Sequence, residues 1–321
     1  MITNEPSQDV TPLPTEPTGF PEQAVRDDLQ PPPAPIEEPW WVAWFDVVKA
    51  LVVWVLSVAM LIFTPVILAI PYFIYVWAKQ GPPRAEALTA DKTLILLSIV
   101  GTIIAHVLTI GILWLFVTEG GKRSFAEAIG FRWPKNMTRG AVIGLCCLLA
   151  LLLLGVGWGV TSVWGGQKTQ LDLIVESSMA ARFVTALAAV ATAPLIEELV
   201  YRGVVYSAFE RAAGVVIAVL IVSLMFAGVH VLQYQNNISV ITVITLLSFT
   251  LTLVRAYTGS VIPPFIIHLV FNGIQSLILV LAPFLDKSIL NNGDQATPTT
   301  PGFDIAFQLV EKISVYLCRM T

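Results

Sequence analysis

Glu197 and Glu198 stand side by side in Ala193-Pro194-Leu195-Ile196-Glu197-Glu198-Leu199-Val200-Tyr201-Arg202-Gly203, directly after an uncharged, mostly apolar run from Phe183 to Ala193. An ionisable group at bilayer depth costs roughly 2.5–3.5 kcal/mol on insertion scales. Two adjacent carboxylates there imply a use. Two of the chain's three histidines follow in apolar runs. His230 closes Phe226-Ala227-Gly228-Val229-His230, and His268 opens His268-Leu269-Val270-Phe271-Asn272. Each run has i,i+4 spacing, so its ends share one helix face. Phe226 is expected to pack beside His230, and Asn272 stands one turn from His268, able to meet it at a common target. Carboxylates, imidazoles and a carboxamide in a low-dielectric setting are the materials of general acid–base chemistry.

Helix geometry separates the two glutamates. Glu198 and Arg202 are four residues apart, which suits an ion pair. Glu197 is turned away by about 100° and is free to face a cavity. In low dielectric a paired carboxylate keeps its charge, whereas an unpaired one gains basicity. Pro194 donates no backbone hydrogen bond and loosens the helix just ahead of the pair.

These residues need a frame, and the composition dictates which. The 321 residues are 56% hydrophobic and 12% charged, with a mean hydropathy of +0.77. Soluble domains carry about 25% charged residues. The chain is therefore expected to be an all-α, polytopic membrane helix bundle of about seven transmembrane helices, within a range of six to eight. Spans are expected at about 45–78, 93–118, 140–164, 179–211, 214–233, 238–256 and 261–285. Pro65 and Pro71 predict a kink or an interfacial continuation in the over-long first span. Thr258-Gly259 marks the turn before the last. His106, in the second span, matches no motif and is read as structural. The three cysteines, with Cys146 and Cys147 adjacent, form no disulfide framework and are read as space-filling.

Three regions are expected. Residues 1–42 read as a disordered Pro-rich acidic tail, since residues 1–40 hold ten of the 21 prolines, eight acidic residues and one basic residue. They show no basic start followed by an apolar core, so no cleavable signal is read. Residues 43–285 form the bundle. Residues 286–321 read as a polar loop and an amphipathic helix on the membrane surface. The loop at 119–139 holds Lys122, Arg123, Arg132, Lys135 and Arg139, which by the positive-inside rule places it in the cytoplasm. That puts the Arg202 end of the fourth span, and with it the site around the Glu pair, towards the cytoplasmic face of a bacterial-type cell membrane. Seven crossings place the C-terminus outside.

Taken in order, Glu197-Glu198-x-x-x-Arg202, Phe226-x-x-x-His230 and His268-x-x-x-Asn272 resemble the CPBP family, which comprises the CAAX prenyl endopeptidases and the bacteriocin-processing relatives also called Abi proteins. Arg255-Ala256-Tyr257-Thr258-Gly259-Ser260 looks like that family's connection before the last motif. The resemblance covers about residues 180–280, roughly a third of the chain. It implies an intramembrane glutamate-dependent endopeptidase without a cofactor. By motif position Glu197 would activate water and His230 would position it. His268 and Asn272 would stabilise the oxyanion, and Glu198 and Arg202 would hold the site in shape. The implied partners are a peptide or protein substrate, lipidated or not, and the bilayer, with no nucleic acid.

Other functions use the same residues. Two histidines and a glutamate make a catalytic zinc set, although no His-Glu-x-x-His run is present. A non-enzymatic scaffold or bacteriocin-immunity-type factor would bind a partner through the same pocket. A transporter would use the carboxylates as a proton relay, but no inverted repeat is visible in the sequence.

Overall fold

The computed structural model describes residues 39–165, 169–234, 237–281 and 284. The expected acidic tail, save its last few residues, and the expected C-terminal loop and surface helix lie outside the described residues.

Among the described residues all regular structure is helical. α1 is Trp40–Gln80, α2 Ala85–Ala90, α3 Lys92–Val117, α4 Phe125–Ala128, α5 Arg139–Trp164, α6 Gln170–Ser177 and α7 Met179–Leu187. α8 is Ala193–Glu197, α9 Tyr206–Ala213, α10 Val215–Gln233, α11 Ile238–Thr258 and α12 Ile262–Leu281. Two π-helical segments join α7, α8 and α9 into one continuous rod from Met179 to Ala213: π1 at Ala188–Thr192 and π2 at Glu198–Val205. Six of these rods are long and apolar enough to cross a membrane, and α10 contributes a shorter apolar helix. The protein is an integral, multi-pass membrane protein.

Outward faces are apolar, as lipid requires. Leu148, Leu151 and Leu152 on α5 and Ile62, Phe63, Val66 and Ile67 on α1 are all exposed. The small and polar residues turn inward instead. One buried cluster joins α1 (Val47, Ala50, Val53) to the Met179–Ala213 rod (Leu199, Val200, Val205, Tyr206) and α10 (Val222, Phe226). A second joins α5 (Val142, Cys146, Ala150), α11 (Val243, Leu247, Leu251) and α12 (Ile267, Phe271).

α1 remains one helix through Pro65 and Pro71. Pro65 is used for packing: a Cβ built on Gly101 of α3 would stand 2.5 Å from the Pro65 Cα. Only glycine permits the two rods to approach so closely.

The basic loop between α3 and α5 is tied to the α11–α12 turn. The Val261 amide donates to Gly130 O at 3.0 Å, and the Ser260 hydroxyl donates to Arg132 O. Gly259 ends α11 in the left-handed conformation, φ 62°, the turn that Thr258-Gly259 signals in the sequence.

Candidate active site

Pro194 explains the first irregularity of the Met179–Ala213 rod. Without an amide hydrogen it cannot complete the α ladder, and its ring crowds the preceding turn. The chain widens there into π1, closed by the bond from the Ala193 amide to Ala188 O. π2 follows directly after Glu197, and the Tyr206 amide bonds to Tyr201 O. Such segments recur at functional sites. Here Glu197 closes the short α8 between them and Glu198 opens π2.

Glu198 is fully buried, and its Oε1 accepts from Arg202 Nη1 at 3.0 Å. Arg202, also fully buried, reaches across to α11. Its Nη2 donates to Ser248 O at 3.0 Å and to Ser248 Oγ at 3.1 Å, and its Nε to Thr252 Oγ1 at 3.3 Å. Glu197 keeps 23% of its side chain exposed and faces the cavity. The structure therefore places one carboxylate in an ion pair and the other at the cavity wall.

His268 connects them. Its Nδ1 lies 2.9 Å from Glu198 Oε1 and its Nε2 lies 3.6 Å from Glu197 Oε2. A carboxylate only accepts, so the Nδ1 hydrogen points at Glu198. The longer contact is a water- or charge-mediated distance rather than a hydrogen bond. The His230 Nδ1 donates to Phe226 O at 2.8 Å. In the neutral ring that leaves Nε2 as the acceptor. Asn272 Nδ2 donates to Ala189 O of π1 at 3.1 Å. The amide has two hydrogens, so one donor remains.

Phe226 sits at the junction. Its ring stacks on His230 with centroids 4.6 Å apart and meets His268 edge-on at 6.0 Å. The Arg202 guanidinium lies 4.7 Å from its centroid. The sequence assigns Phe226 only to packing beside His230. Its contacts with Arg202 and His268 come from other helices and leave no trace in spacing.

Glu197, His230, His268 and Asn272 all line one cavity of about 250 Å³. Its other walls are apolar (Val240, Val243, Leu247, Phe271), with Asp172, Tyr234 and Gln275 towards the α6 end. Tyr234 lies one turn beyond His230. Burial pushes the pKa of its phenol above the ordinary value, and Asp172 and Glu197 add to the effect, so it stays protonated. Neither Tyr234 nor Asp172 carries a motif signal, and the sequence singles out neither. His106 lies behind π1, its Nδ1 2.8 Å from Thr192 Oγ1. Among the described residues, no group of three or more His, Cys, Asp or Glu side chains is arranged to hold a metal ion.

Glu197 lies about midway along the Met179–Ala213 rod. From there the cavity runs towards α6 and the α10–α11 connection, lined by Leu171, Asp172 and Tyr234. The basic loop lies at the other end, where α5 begins. The Arg202 end of the rod meets that loop, where a Cβ built on Gly203 would stand 3.2 Å from the Ile129 side chain.

Residues 179–274 match the family described as type II CAAX prenyl endopeptidase Rce1-like. No curated protein and no solved structure matches the chain. The matched segment begins at α7 and ends inside α12, and so includes Glu197, His230, His268 and Asn272. Over residues 179–274 the apolar bundle is thus similar to the Rce1-like CAAX endopeptidases, a family of membrane proteases.

Proposed function

We propose that the protein is a glutamate-dependent intramembrane endopeptidase that needs no metal cofactor. The observation that carries this reading is the convergence of Glu197, His230, His268 and Asn272 on one cavity from three separate rods. Glu197 takes a proton from a water molecule, and the resulting hydroxide adds to the peptide carbonyl. His230, its Nδ1 fixed by Phe226 O, accepts from that water through Nε2 and orients it.

His268 acts as an oxyanion donor once Nε2 carries a proton. Glu197 stands 3.6 Å from Nε2 and relays the proton that it took from water. Glu198, on Nδ1, stabilises the imidazolium so formed. The free amide hydrogen of Asn272 supplies the second donor. Removing one such donor from a hydrolase costs about 10²–10³ in kcat. The relay has already restored the carboxylate of Glu197, and as the C–N bond breaks the proton passes from His268 to the leaving amine, which restores the neutral imidazole. The substrate is a peptide or protein segment, lipidated or not, that reaches the cavity from the bilayer.

The test is cleavage of peptides by the purified full-length chain in detergent or vesicles, with Glu197→Ala alongside. Activity in the wild type and its loss in Glu197→Ala support the reading, whereas equal cleavage by both removes it. Activity that survives chelation separates this mechanism from zinc chemistry.

A further inference from the structure

Arg255 has no role in the chemistry above, yet only 6% of it is exposed. It sits in the last turn of α11 and reaches the catalytic rod. Its Nε donates to the backbone O of Arg202 at 3.0 Å, and its Nη2 donates to Ser207 Oγ at 3.0 Å. The guanidinium lies 5.1 Å from the centroid of the Tyr206 ring. Tyr206 is fully buried, and its hydroxyl donates to Glu210 at 2.9 Å. Behind the guanidinium is Gly130 of the basic loop. A Cβ there would stand 3.3 Å from Arg255 Nη2, and Gly130 has φ 72°. The loop thus packs Arg255 against the rod.

The bonds of Arg255 fall at the C-terminal part of π2 and the start of α9. In π2 the backbone ladder is re-spaced, so its carbonyls are not held as in a regular helix. A side-chain donor on Arg202 O, with a second on Ser207, fixes both the axial position and the rotation of this segment. The direction is reciprocal. Arg202 reaches from the rod to Ser248 and Thr252 of α11, and Arg255 reaches from α11 back to the backbone of Arg202. A rigid planar fork suits such a two-point hold, and a lysine ammonium on a flexible stem does not reproduce it.

We infer that Arg255 is a positioning residue of the protease site, holding π2 so that Glu197 and Glu198 keep their register against His268. The inference rests on the peptidase reading for its kinetic consequence but not for its structural one. Small misplacements of catalytic groups lower the rate on the order of a hundredfold.

The test compares full-length wild type with Arg255→Gln, Arg255→Lys and Ser207→Ala. Arg255→Gln should lower kcat on the order of tenfold to a hundredfold with KM little changed. Arg255→Lys should recover only part of it, and Ser207→Ala should give a smaller loss of the same kind. Backbone hydrogen exchange supplies a readout independent of cleavage. Arg255→Gln should speed exchange over residues 198–207 and leave α5 at its wild-type rate. Unchanged kcat with unchanged exchange overturns the inference, and so does faster exchange spread evenly over all the helices. If the wild type cleaves nothing but exchange still rises only over 198–207, the peptidase reading falls and the hold of Arg255 on π2 stands.

Discussion

His268 Nδ1 lies 2.9 Å from Glu198 Oε1, the same oxygen that receives Arg202 Nη1 at 3.0 Å. One carboxylate oxygen therefore orients both the cation behind the site and the imidazole that lines the cavity. Glu198 is not spare charge beside Glu197. It is the fixed point from which the ring of His268 is aimed at Glu197.

That arrangement makes Glu198 a stability residue as well as an orienting one. Glu198→Ala leaves the fully buried Arg202 without its counter-charge, and breaking a buried pair from one side costs about 3–5 kcal/mol. The apparent melting temperature in detergent should fall sharply. Replacing Glu198 and Arg202 together should cost less than the sum of the single losses, because neither charge is then stranded. A double mutant as unstable as the summed single mutants would show that the pair is not coupled.

Asn272→Ala should act on the rate and leave binding nearly unchanged. The side chain is one helical turn from His268 and holds only one backbone carbonyl, Ala189 O. Loss of an oxyanion donor lowers kcat by about 10²–10³. A rise in KM at constant kcat would instead make Asn272 a substrate-binding residue.

Phe226→Leu tests the aromatic junction. Leucine keeps most of the volume but removes the ring that stacks on His230 and faces Arg202. A desolvated cation–π contact is worth about 2 kcal/mol, so the variant should melt earlier and cleave more slowly. Phe226→Tyr should retain most of both properties if its hydroxyl finds a partner. Wild-type melting of Phe226→Leu would reduce the ring to filler.

Much of the frame is legible in the sequence because hydropathy alone fixes where a rod can lie in lipid. The division of labour between Glu197 and Glu198 is also legible, since Arg202 lies four residues on. The π segments are not. Ala188–Thr192 and Glu198–Val205 are made of ordinary helix-compatible residues, and only Pro194 hints that the ladder is interrupted. Contacts between rods are equally hidden. Nothing in one sequence pairs Arg202 with Ser248 and Thr252, or Arg255 with Ser207, because those partners are 46 to 50 residues away in the first case and 48 in the second.

Gly101→Ala should disturb the α1–α3 contact. The added Cβ would stand 2.5 Å from backbone of Pro65, and backbone cannot swing aside as a side chain does. Overpacking of this kind costs about 1–3 kcal/mol. Gly144→Ala on α5 meets nothing within 4 Å and serves as the control. Equal melting of the two variants would mean that α1 and α3 do not pack as described.

The placement of the cavity away from the basic loop can be read by labelling. Ser124 lies exposed in the loop that precedes α5, and Leu173 lies exposed on α6, which follows it. α5 is 26 residues long, enough to cross a hydrocarbon core that needs about 20 residues. In a background with Cys146, Cys147 and Cys318 replaced, Ser124→Cys and Leu173→Cys should react with a membrane-impermeant maleimide from opposite faces. Intact cells should label one of the two, and permeabilised cells both. Because Asp172 and Leu171 on α6 line the cavity, the face that labels Leu173→Cys is the face towards which the cavity extends. Labelling of both positions in intact cells would mean that α5 does not cross, and would separate the cavity from the membrane frame that gives its buried carboxylates their chemistry.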